Sequence, residues 1–409
     1  MHIVAVTGYF YPYLTPSAGC VKHYLLELVD KNDIEVVCPP SSTRYKKSIE
    51  REGIKINYVN NLSNSILSFI KTCQEEGKYP LFIKVLFTIY RGMRFIKYSF
   101  CRKPYRISMV DRTVRMLESI NKKNPIDVLI SVTFPYHNHV VALQYKKKNP
   151  SVRWISFSTD PLAYSESNPI EKWKLKEAKK IEKEVYSKCD HCVVTQELVS
   201  NVIKDYDISP SKVTGFPFLL FNKEIRHAEE PHERPMLLYA GLVFYKVRNP
   251  QIMLNVFSGV KDADLYLYIS GDRHCREILN RPYPSQIKMH GYVSHERYME
   301  LLAEADVFIN LGNKARLQAP HKLMELVSTG KPIINFYYYE DTGVEIIEKY
   351  PLGINISNEL NIEEMQKIVD GFVKENYKRR MTFDKVKDLY PEHLLANQLP
   401  KMESIILNS

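Results

Sequence analysis

Apolar segments of strand length alternate with helical segments along most of this 409-residue chain, and this alternation constrains the fold more than any other feature. A strand followed by a helix and a second strand forms a βαβ unit, the building block of a parallel sheet. The alternation occupies two stretches, and residues 214–235 interrupt it with prolines and polar residues. The sequence therefore predicts an α/β protein of two Rossmann-like, doubly wound parallel-sheet domains that face a central cleft.

Chain length and the two stretches set the expected domain boundaries. A chain of 409 residues exceeds what one hydrophobic core ordinarily serves, so two domains are expected. We expect an N-terminal domain over 1–213, a linker over 214–235, a C-terminal domain over 236–385 and a helical tail over 386–409. Ligands of such sheets bind outside the carboxyl ends of the strands, so candidate site residues should follow strands directly.

Charge and cysteine content narrow the classes of partner and compartment. The net charge of +10 predicts an anionic partner, and nucleic acid is not expected because no recognisable nucleic-acid module accompanies it. Seven scattered cysteines favour a reducing cytoplasm, and Cys189 and Cys192 are interpreted as buried thiols rather than zinc ligands. The first residues are typical of a strand and not of a signal peptide. No apolar run reaches the roughly 18 residues that a membrane-spanning helix needs.

The segment from Asn310 to Tyr337 is the strongest candidate for an anion site. A strand, a polar loop, a helix expected to open at Pro320 and a second strand follow one another there. His321 and Lys322 fall in the first turn of the helix, where free backbone N–H groups and the helix dipole attract phosphate. Glu325, one turn later, can accept two hydrogen bonds from a vicinal diol such as a ribose. The alternative is an amphipathic helix buried between two strands.

The second half holds another cationic candidate. The strand that closes at Gly241 leads into a loop that carries Lys246 and Arg248 before the next helix. A guanidinium pairs with phosphate oxygens in bidentate fashion, so Arg248 is a candidate diphosphate ligand. Gly271 ends the next strand and is expected at the same edge of the sheet. The alternative for the loop is a solvated basic turn.

Polar groups also follow two strands of the first half. Asp160 ends a strand and precedes Pro161, where its carboxylate can orient a sugar hydroxyl or accept a proton. The alternative is an aspartate that caps a turn. Tyr136 and His137 follow another strand and, with His139, are candidates for acceptor contact or for packing. No third ligand accompanies the two histidines, so no metal site is predicted.

The segment between Glu76 and Asp111 contains eight Lys and Arg residues and no carboxylate. Its apolar residues recur at helical spacing, and basic residues fall on the other side of the helix. The apolar set is Leu81, Phe82, Val85, Leu86, Ile89, Met93 and Ile96, and the basic set is Lys84, Arg91 and Arg94. Such a basic amphipathic region, over about 78–110, is typical of an element that lies on an anionic membrane surface. The alternative is a helix packed on its own sheet.

These motifs together resemble glycosyltransferase family 4, whose members are retaining enzymes of the GT-B fold that use sugar nucleotides. The resemblance extends over nearly the whole chain and is most specific in the second half. The motifs that carry it are Tyr239-Ala240-Gly241, Arg248-Asn249-Pro250, Ser270-Gly271-Asp272, His290-Gly291-Tyr292-Val293, Ala305-Asp306-Val307, Pro320-x-Lys322-x-x-Glu325 and Gly330-Lys331-Pro332, with Tyr11-Pro12 and Ser17-Ala18-Gly19 as looser matches in the first half.

The resemblance implies a role for each matching residue. Glu325 would hold the ribose of a nucleotide-sugar donor, and Arg248 with Lys322 would stabilise the leaving diphosphate. Backbone near Tyr292 would meet the base, and Gly19 would allow the first domain to approach the donor closely. The implied reaction is front-face transfer with retention and without a metal, in which the donor phosphate helps to remove the acceptor proton.

Three positions depart from the family pattern. Asp160 falls where many members carry a histidine that touches the donor sugar. Leu317 stands eight residues before Glu325, where the family's paired-glutamate motif has its first glutamate, and Leu242 stands where the family has an arginine after the strand-ending glycine. The two leucines indicate either an altered choice of donor or weak or absent activity.

The sequence thus predicts a cytoplasmic hexosyltransferase, peripheral at the inner face of the cell membrane. It would transfer a sugar from a nucleotide-sugar donor to a lipid-linked or polysaccharide acceptor in bacterial surface polysaccharide synthesis, with no cofactor beyond the donor. One alternative is a catalytically inactive GT-B protein that binds a sugar nucleotide or assists assembly. Another is a nucleotide-sugar epimerase, which shares the fold and needs no membrane-facing basic helix.

Overall fold

The computed structural model describes residues 1–409 except for residue 13 and residues 42–47, 76–77, 101–102, 106, 165–171, 222–231, 292, 318–321 and 408–409. The described residues fall into two compact units. The first unit takes those of residues 1–216 and 398–409, and the second takes those of residues 217–397. The division after Phe216 lies inside the stretch expected to be a linker.

The first unit is an eight-stranded sheet with helices between its strands. The strands are β1 (His2–Val6), β2 (Asp33–Cys38), β3 (Ile49–Arg51), β4 (Ile54–Tyr58), β5 (Val128–Val132), β6 (Arg153–Ser158), β7 (His191–Thr195) and β8 (Val213–Phe216). The helices are α1 (Pro16–Leu28), α2 (Leu62–Glu75), α3 (Pro80–Phe100), α4 (Ile107–Lys123), α5 (His137–Lys148), α6 (Lys172–Lys188) and α7 (Gln196–Tyr206).

The strand order of the first sheet is β3-β4-β2-β1-β5-β6-β7-β8. Every neighbouring pair is parallel except β3 with β4 at one edge. All residues of β1 and β5 are buried, as expected for strands covered by helices on both faces. The order reverses between β1 and β5, so the topological switch point of this sheet lies there.

The second unit is a six-stranded sheet. Its strands are β9 (Met236–Val243), β10 (Asp264–Gly271), β11 (Ile287–His290), β12 (Val307–Leu311), β13 (Ile333–Tyr337) and β14 (Gly353–Ser357). Its helices are α8 (Gln251–Phe257), α9 (Arg273–Leu279), α10 (His295–Glu304), α11 (Lys322–Val327), α12 (Thr342–Lys349), α13 (Ile362–Asn376) and α14 (Phe383–Leu389). The last helix, α15 (Leu395–Leu407), begins in this unit and continues into the first.

The order of the second sheet, β11-β10-β9-β12-β13-β14, is the Rossmann order 3-2-1-4-5-6, and every pair is parallel. Its switch point lies between β9 and β12. An asparagine ladder fixes the register of three strands, since Asn310 donates to Asn335 and Asn335 donates to Asn355, both at 2.7 Å. The prediction of two doubly wound sheets is confirmed, and the antiparallel strand β3 at one edge was not expected.

The basic segment predicted to be an amphipathic helix contains α3, which packs on the preceding helix α2. Ile83 and Tyr90 of α3 are buried against Ile70 and Cys73 of α2. The face that the sequence marked as apolar points elsewhere, and most of it lies more than half exposed. The exposed residues are Leu81, Phe82, Val85, Ile89, Met93 and Ile96. Leu86 is the exception because it packs against the buried cluster, and the side chain of Arg94 lies outside the described residues.

Two further expectations concern membranes and cysteines. None of the helices that the structure describes is both long and apolar enough to cross a membrane. Cys189 and Cys192 are buried, with their Sγ atoms 3.3 Å apart, and both are free thiols. The interpretation of this pair as buried thiols is confirmed.

Candidate functional site

The loop after β9 presents Arg248 at the switch point of the second sheet. Phe244 and Arg248 pair their backbones in a tight turn, with N···O distances of 3.1 and 2.7 Å. The guanidinium donates from Nε and Nη2 to Oδ1 of Asn313, at 3.0 and 2.7 Å. Lys314 N donates to Val247 O at 2.7 Å, which joins the loop after β12 to the loop after β9. Arg248 is therefore held between the two strands that flank the switch point.

Lys322 opens α11 and reaches back to the same place. Its ammonium donates to Ala240 O at 2.7 Å and lies 4.3 Å from the centroid of the Tyr298 ring. Burial lowers the pKa of Lys322 and nearby Arg248 lowers it further, whereas Glu325 acts in the opposite direction. Because a buried ammonium is poorly solvated, an anion that reaches Lys322 and Arg248 replaces solvation that the protein does not supply.

Glu325 completes this group of side chains. Its carboxylate accepts a hydrogen bond from the hydroxyl of Tyr298 at 2.8 Å. Burial raises the pKa of Tyr298 well above its ordinary value, and the Glu325 carboxylate adds to the effect, so Tyr298 stays a hydroxyl donor. We call Arg248, Lys322, Glu325 and Tyr298 the second-sheet cluster. It combines two cations with one carboxylate at the carboxyl edge of β9 and β12.

The glycines of this edge differ in how tightly they are packed. A Cβ at Gly271 would lie 2.7 Å from Cys275 Cβ and 2.9 Å from Val243 Cγ2, so a side chain does not fit there. A Cβ at Gly241 would meet nothing closer than the Tyr239 hydroxyl at 3.6 Å and Lys322 Nζ at 3.8 Å. Packing therefore requires Gly271, whereas a Cβ at Gly241 would make ordinary van der Waals contact with Tyr239 and Lys322.

Asp272 follows Gly271 and fixes the turn into α9. Its carboxylate accepts from the backbone N–H groups of Cys275 and Tyr245, both at 2.9 Å. Partial burial pushes the pKa of Asp272 up, but these two hydrogen bonds outweigh burial and hold it below the ordinary value. Asp272 is thus occupied as a helix cap and as a link to the loop that carries Arg248.

Several predicted site residues lie outside the described part of the chain. His321 and the Pro320 at which the helix was expected to open fall in the gap 318–321, and Tyr292 is also outside. The described helix begins at Lys322 and ends at Val327. The roles suggested for His321 and Tyr292 stay predictions.

Two tyrosine–cation pairs at this edge were missed by the sequence analysis. Lys314 Nζ lies 4.8 Å from the centroid of the Tyr338 ring, and Arg316 Cζ lies 4.4 Å from that of Tyr339. Both cations belong to the loop after β12, and both rings follow β13. The run of three tyrosines that begins at the last residue of β13 was a visible signal, but only the register of β12 with β13 shows which cations face it.

The switch point of the first sheet is built from hydroxyls and close backbone. Ser17 of α1 lies 2.8 Å from the Thr159 hydroxyl, and Ser17 Oγ accepts from Phe134 N at 3.2 Å. Thr159 N donates to Thr133 Oγ1 at 3.0 Å. A Cβ at Gly8 would lie 2.8 Å from Phe134 O, so the segment after β1 and the segment after β5 are in direct contact.

Asp160 and Gly19 lie beside these hydroxyls. Thr159 Oγ1 donates to Asp160 Oδ2 at 3.1 Å. Asp160 is near Cys20 of α1. Burial, and then the negative charge of Asp160, raise the pKa of the Cys20 thiol to about 12. Gly19 precedes Cys20 in α1. A Cβ added at Gly19 would meet, among the described residues, only the side chain of Leu14, at 3.3 Å. The structure thus brings Asp160 and Gly19 to one edge of the first sheet.

Tyr136 and His137 are buried, each less than 5% exposed. The Tyr136 ring packs edge-on against His139, with centroids 5.2 Å apart. His139 lies between the hydroxyls of Ser131 and Ser158 at 2.7 and 2.8 Å, and burial lowers its pKa to about 3. These contacts are those of an interior polar network, and the acceptor role of Tyr136 and His137 stays a prediction.

Within the described ranges, one group of three residues has the spacing to hold a metal ion, namely His2, Asp33 and Glu35. It lies at the amino ends of β1 and β2, at the edge opposite the switch-point residues. Glu35 already accepts from Lys55 Nζ at 2.7 Å and from Asn57 Nδ2 at 2.6 Å. This group is separate from both switch points.

Comparison with known proteins agrees with this architecture. Residues 221–387 match the family described as glycosyl transferases group 1. The chain is similar in fold to sucrose-phosphate synthase from Thermosynechococcus elongatus, with a TM-score of 0.69, 10% identity, and coverage of 98% of this chain and 97% of that chain. A search of curated proteins found no match.

Two other solved structures resemble the chain along its length. Anabaena HepE in complex with UDP-glucose has a TM-score of 0.62 and 10% identity, over 98% of each chain. WaaG, a glycosyltransferase involved in lipopolysaccharide biosynthesis, has a TM-score of 0.58 and 11% identity, over 100% of each chain. The chain therefore has the GT-B fold of these structures, and its residues 221–387 match the group 1 glycosyl transferases.

Proposed function

We propose that the protein transfers a hexosyl group from a nucleotide-sugar donor to a lipid-linked or polysaccharide acceptor in the synthesis of a bacterial surface polysaccharide. The transfer proceeds with retention and without a metal. The proposal rests chiefly on the second-sheet cluster, in which Arg248 and Lys322 stand beside Glu325 at a Rossmann switch point. The similarity to HepE, which was solved with UDP-glucose, supports a nucleotide-sugar donor.

The cluster has groups that match two parts of a nucleoside diphosphate, the charged diphosphate and the polar ribose. Arg248 and Lys322 bind the diphosphate oxygens, and Glu325 accepts hydrogen bonds from the ribose hydroxyls. The Tyr298 hydroxyl donates to Glu325 and keeps its carboxylate oriented. With two preorganised cations at the diphosphate, charge that develops on the leaving group is stabilised without a divalent cation.

The transfer step balances without a further reactant. The bond between the sugar C1 and the β-phosphate oxygen breaks, and the nucleoside diphosphate leaves. An acceptor hydroxyl oxygen bonds to C1 on the same face, and its proton goes to the leaving phosphate oxygen. Arg248 and Lys322 lower the barrier because the phosphate charge increases as C1–O cleavage proceeds. We assign Asp160 of the first unit to orienting a sugar hydroxyl.

We also propose that α3 holds the protein on the cytoplasmic face of the membrane. The helix has an exposed apolar face from Leu81 to Ile96, and its exposed Lys84 and Arg91 carry charge that suits anionic headgroups. Each basic residue near an anionic leaflet is worth about 1 kcal/mol. The opposite face of α3 packs on α2 through Ile83 and Tyr90, so it is not available to lipid.

A thermal-shift screen over UDP-, GDP-, ADP- and CDP-sugars tests the donor. A nucleotide sugar at 100 times its Kd stabilises the protein by about 2.7 kcal/mol. A shift together with slow donor hydrolysis is the expected result. A shift with no hydrolysis or transfer would favour an inactive binding protein, and conversion of the sugar with the nucleotide still attached would favour an epimerase.

The membrane proposal has its own test. Charge reversal at Lys84 and Arg91 should abolish sedimentation with vesicles that contain anionic lipid, while binding to the nucleotide sugar stays unchanged. Charge reversal at Lys349, which is exposed on the second unit, serves as the matched control. Retained sedimentation of the α3 variant would remove α3 as the membrane element.

A further inference from the structure

Two cations at the carboxyl edge of the second sheet are not used by the diphosphate site. Lys314 and Arg316 lie in the loop after β12, which is joined to the Arg248 loop through the Lys314 N to Val247 O hydrogen bond. Their side chains extend to the β13 side, where Tyr338 and Tyr339 support them at 4.8 and 4.4 Å. The edge therefore has a second pair of positive charges on the same loop as the partner of Arg248.

Neither cation is neutralised within the part of the chain that the structure describes, since no carboxylate oxygen there lies within 4.0 Å of Lys314 or Arg316. Other exposed cations of this unit do have such partners, for example Arg297 with Glu304 at 2.6 Å and Lys387 with Asp384 at 2.8 Å. A ring face orients a cation without removing its charge. Lys314 and Arg316 are thus oriented and remain available to an anion.

Leu317, which lies between this pair and the next helix, also favours an anionic ligand. Leu317 stands where the family resemblance leads one to expect a carboxylate that binds sugar hydroxyls. A carboxylate there would repel an acidic sugar, whereas a leucine beside Arg316 does not. With an apolar residue at Leu317 and two cations in the same loop, a donor sugar at this edge would meet positive charge.

We propose that Lys314 and Arg316 form a subsite for the carboxylate of the donor sugar, so that the donor is a nucleotide-linked uronic acid. This inference rests on the proposed function, because it names the sugar carried by that donor. The guanidinium of Arg316 binds the carboxylate in bidentate fashion, and Lys314 adds a point charge. Arg248 and Lys322 remain with the diphosphate.

Titration calorimetry with three ligands of one base tests the subsite: the free diphosphate, a neutral sugar nucleotide and its uronate. The sets are UDP, UDP-glucose and UDP-glucuronate, and GDP, GDP-mannose and GDP-mannuronate. For the set whose free diphosphate binds, we expect the uronate to bind about tenfold tighter than the neutral sugar nucleotide. Lys314→Ala/Arg316→Ala should erase that preference and leave affinity for the free diphosphate unchanged.

Two variants complete the design. Lys349→Ala removes an exposed charge at the far end of α12 and should leave all three affinities unchanged. Arg316→Lys keeps a charge and should retain part of the preference for the uronate. Since Arg316 is exposed and Lys314 is half-buried in a loop, melting temperatures should match that of the unmodified protein.

The outcomes separate the subsite from the function on which it depends. Equal binding of uronate and neutral sugar would overturn the subsite and leave the nucleotide-sugar transferase intact. The subsite would also be overturned if the double variant bound the free diphosphate as much more weakly as it bound the uronate, because the two cations would then contact the diphosphate. Failure of UDP and GDP to bind, together with no thermal shift from ADP- or CDP-sugars, would overturn the nucleotide-sugar function and the subsite with it.

Discussion

The two switch points arise from the same sheet topology but differ in the charge of their side chains. In the first sheet, Ser17, Thr133 and Thr159 are buried and hydrogen-bonded within the protein, and the Thr159 hydroxyl donates to one carboxylate, Asp160. In the second sheet, Arg248 and Lys322 bring two positive charges to one carboxylate, Glu325. Paired cations suit a diphosphate, whereas the hydroxyls of the first switch point are engaged in contacts within the protein and Asp160 is its charged group. The two positions are equivalent in topology, and the side chains after each strand give each one a different charge.

The largest expected effect comes from removing the positive charge of the second switch point. Arg248→Ala and Lys322→Ala should each lower turnover by a factor on the order of 10² to 10³, because each removes a preorganised charge at the leaving diphosphate. Turnover is measured as nucleoside diphosphate release from the donor identified by the thermal-shift screen. Lys349→Ala is the control for loss of one charge.

Arg248 also bridges two loops through Asn313, so its variant needs a structural check. Arg248→Lys keeps the charge and should recover part of the activity, whereas a purely structural role would give no recovery. Unchanged turnover in Arg248→Ala and Lys322→Ala would show that the positive charge of the second switch point does not stabilise the leaving diphosphate.

The two carboxylates should separate binding from turnover. Glu325→Ala should weaken binding of the nucleoside diphosphate about tenfold, because the ribose loses a charge-assisted acceptor. Asp160→Asn in the first unit should leave that affinity unchanged and lower kcat. Calorimetry on both variants, paired with the turnover assay, makes the comparison. If Asp160→Asn weakened binding of the nucleoside diphosphate as much as Glu325→Ala did, the two switch points would not have separate ligands.

The sequence was sufficient for the features that depend on periodicity and strand ends. The β/α alternation predicted two doubly wound sheets, and Arg248, Lys322 and Glu325 were found because each follows a strand or opens the next helix. Their convergence at one switch point required the strand order, in which β9 and β12 are neighbours although about seventy residues separate them in sequence.

Short and partly polar strands were missed. The strand β14 has a glycine at its start and asparagine and serine within it, and it is recognisable only from its pairing with β13. The edge pair β3 and β4 lies where no strand was predicted, and β8 occupies the first residues of the expected linker. Tyr298 was missed for another reason, because it belongs to α10 and only tertiary contact brings it to Glu325.

The exposed face of α3 shows the limit of pattern reasoning in the first unit. Helical spacing identified the apolar residues, but spacing alone does not say whether such a face is buried. The structure buries the neighbouring face, with Ile83 and Tyr90, and leaves the predicted one exposed. Burial depends on where α2 lies, and that is a tertiary property.

The glycines of the two switch points should respond differently to a methyl group. Gly8→Ala places a Cβ at 2.8 Å from Phe134 O and 2.9 Å from Thr15 Oγ1, and such overpacking costs about 1 to 3 kcal/mol of unfolding free energy. Gly241→Ala has no contact closer than 3.6 Å and should leave stability unchanged. Urea unfolding of both variants measures the difference. Equal stability would show that the close backbone contact of the first switch point is not required.

The smallest expected effect concerns two buried lysines at opposite edges of the second sheet. Lys322 lies at the carboxyl edge, whereas Lys331 lies at the amino edge and donates to the carbonyls of Leu302, Ala303 and Ala305 at 2.9, 2.6 and 2.6 Å. Burial, with a smaller effect of Arg380, lowers the pKa of Lys331 to about 7. Lys331 should therefore affect stability and its pH dependence, and not nucleotide binding.

The direction of that pH dependence follows from proton binding. Between pH 7 and the ordinary lysine pKa, the unfolded chain holds a proton on Lys331 that the folded protein has partly lost, so stability rises with pH. The unfolding free energy of the protein relative to Lys331→Met should increase by about 1 kcal/mol from pH 7 to pH 8. Urea unfolding at both pH values measures this difference, with the exposed Lys349→Met as the control. An unchanged difference between the two pH values would mean that the three carbonyls keep Lys331 charged in the folded protein, because the folded and unfolded states would then hold the same number of protons over this range.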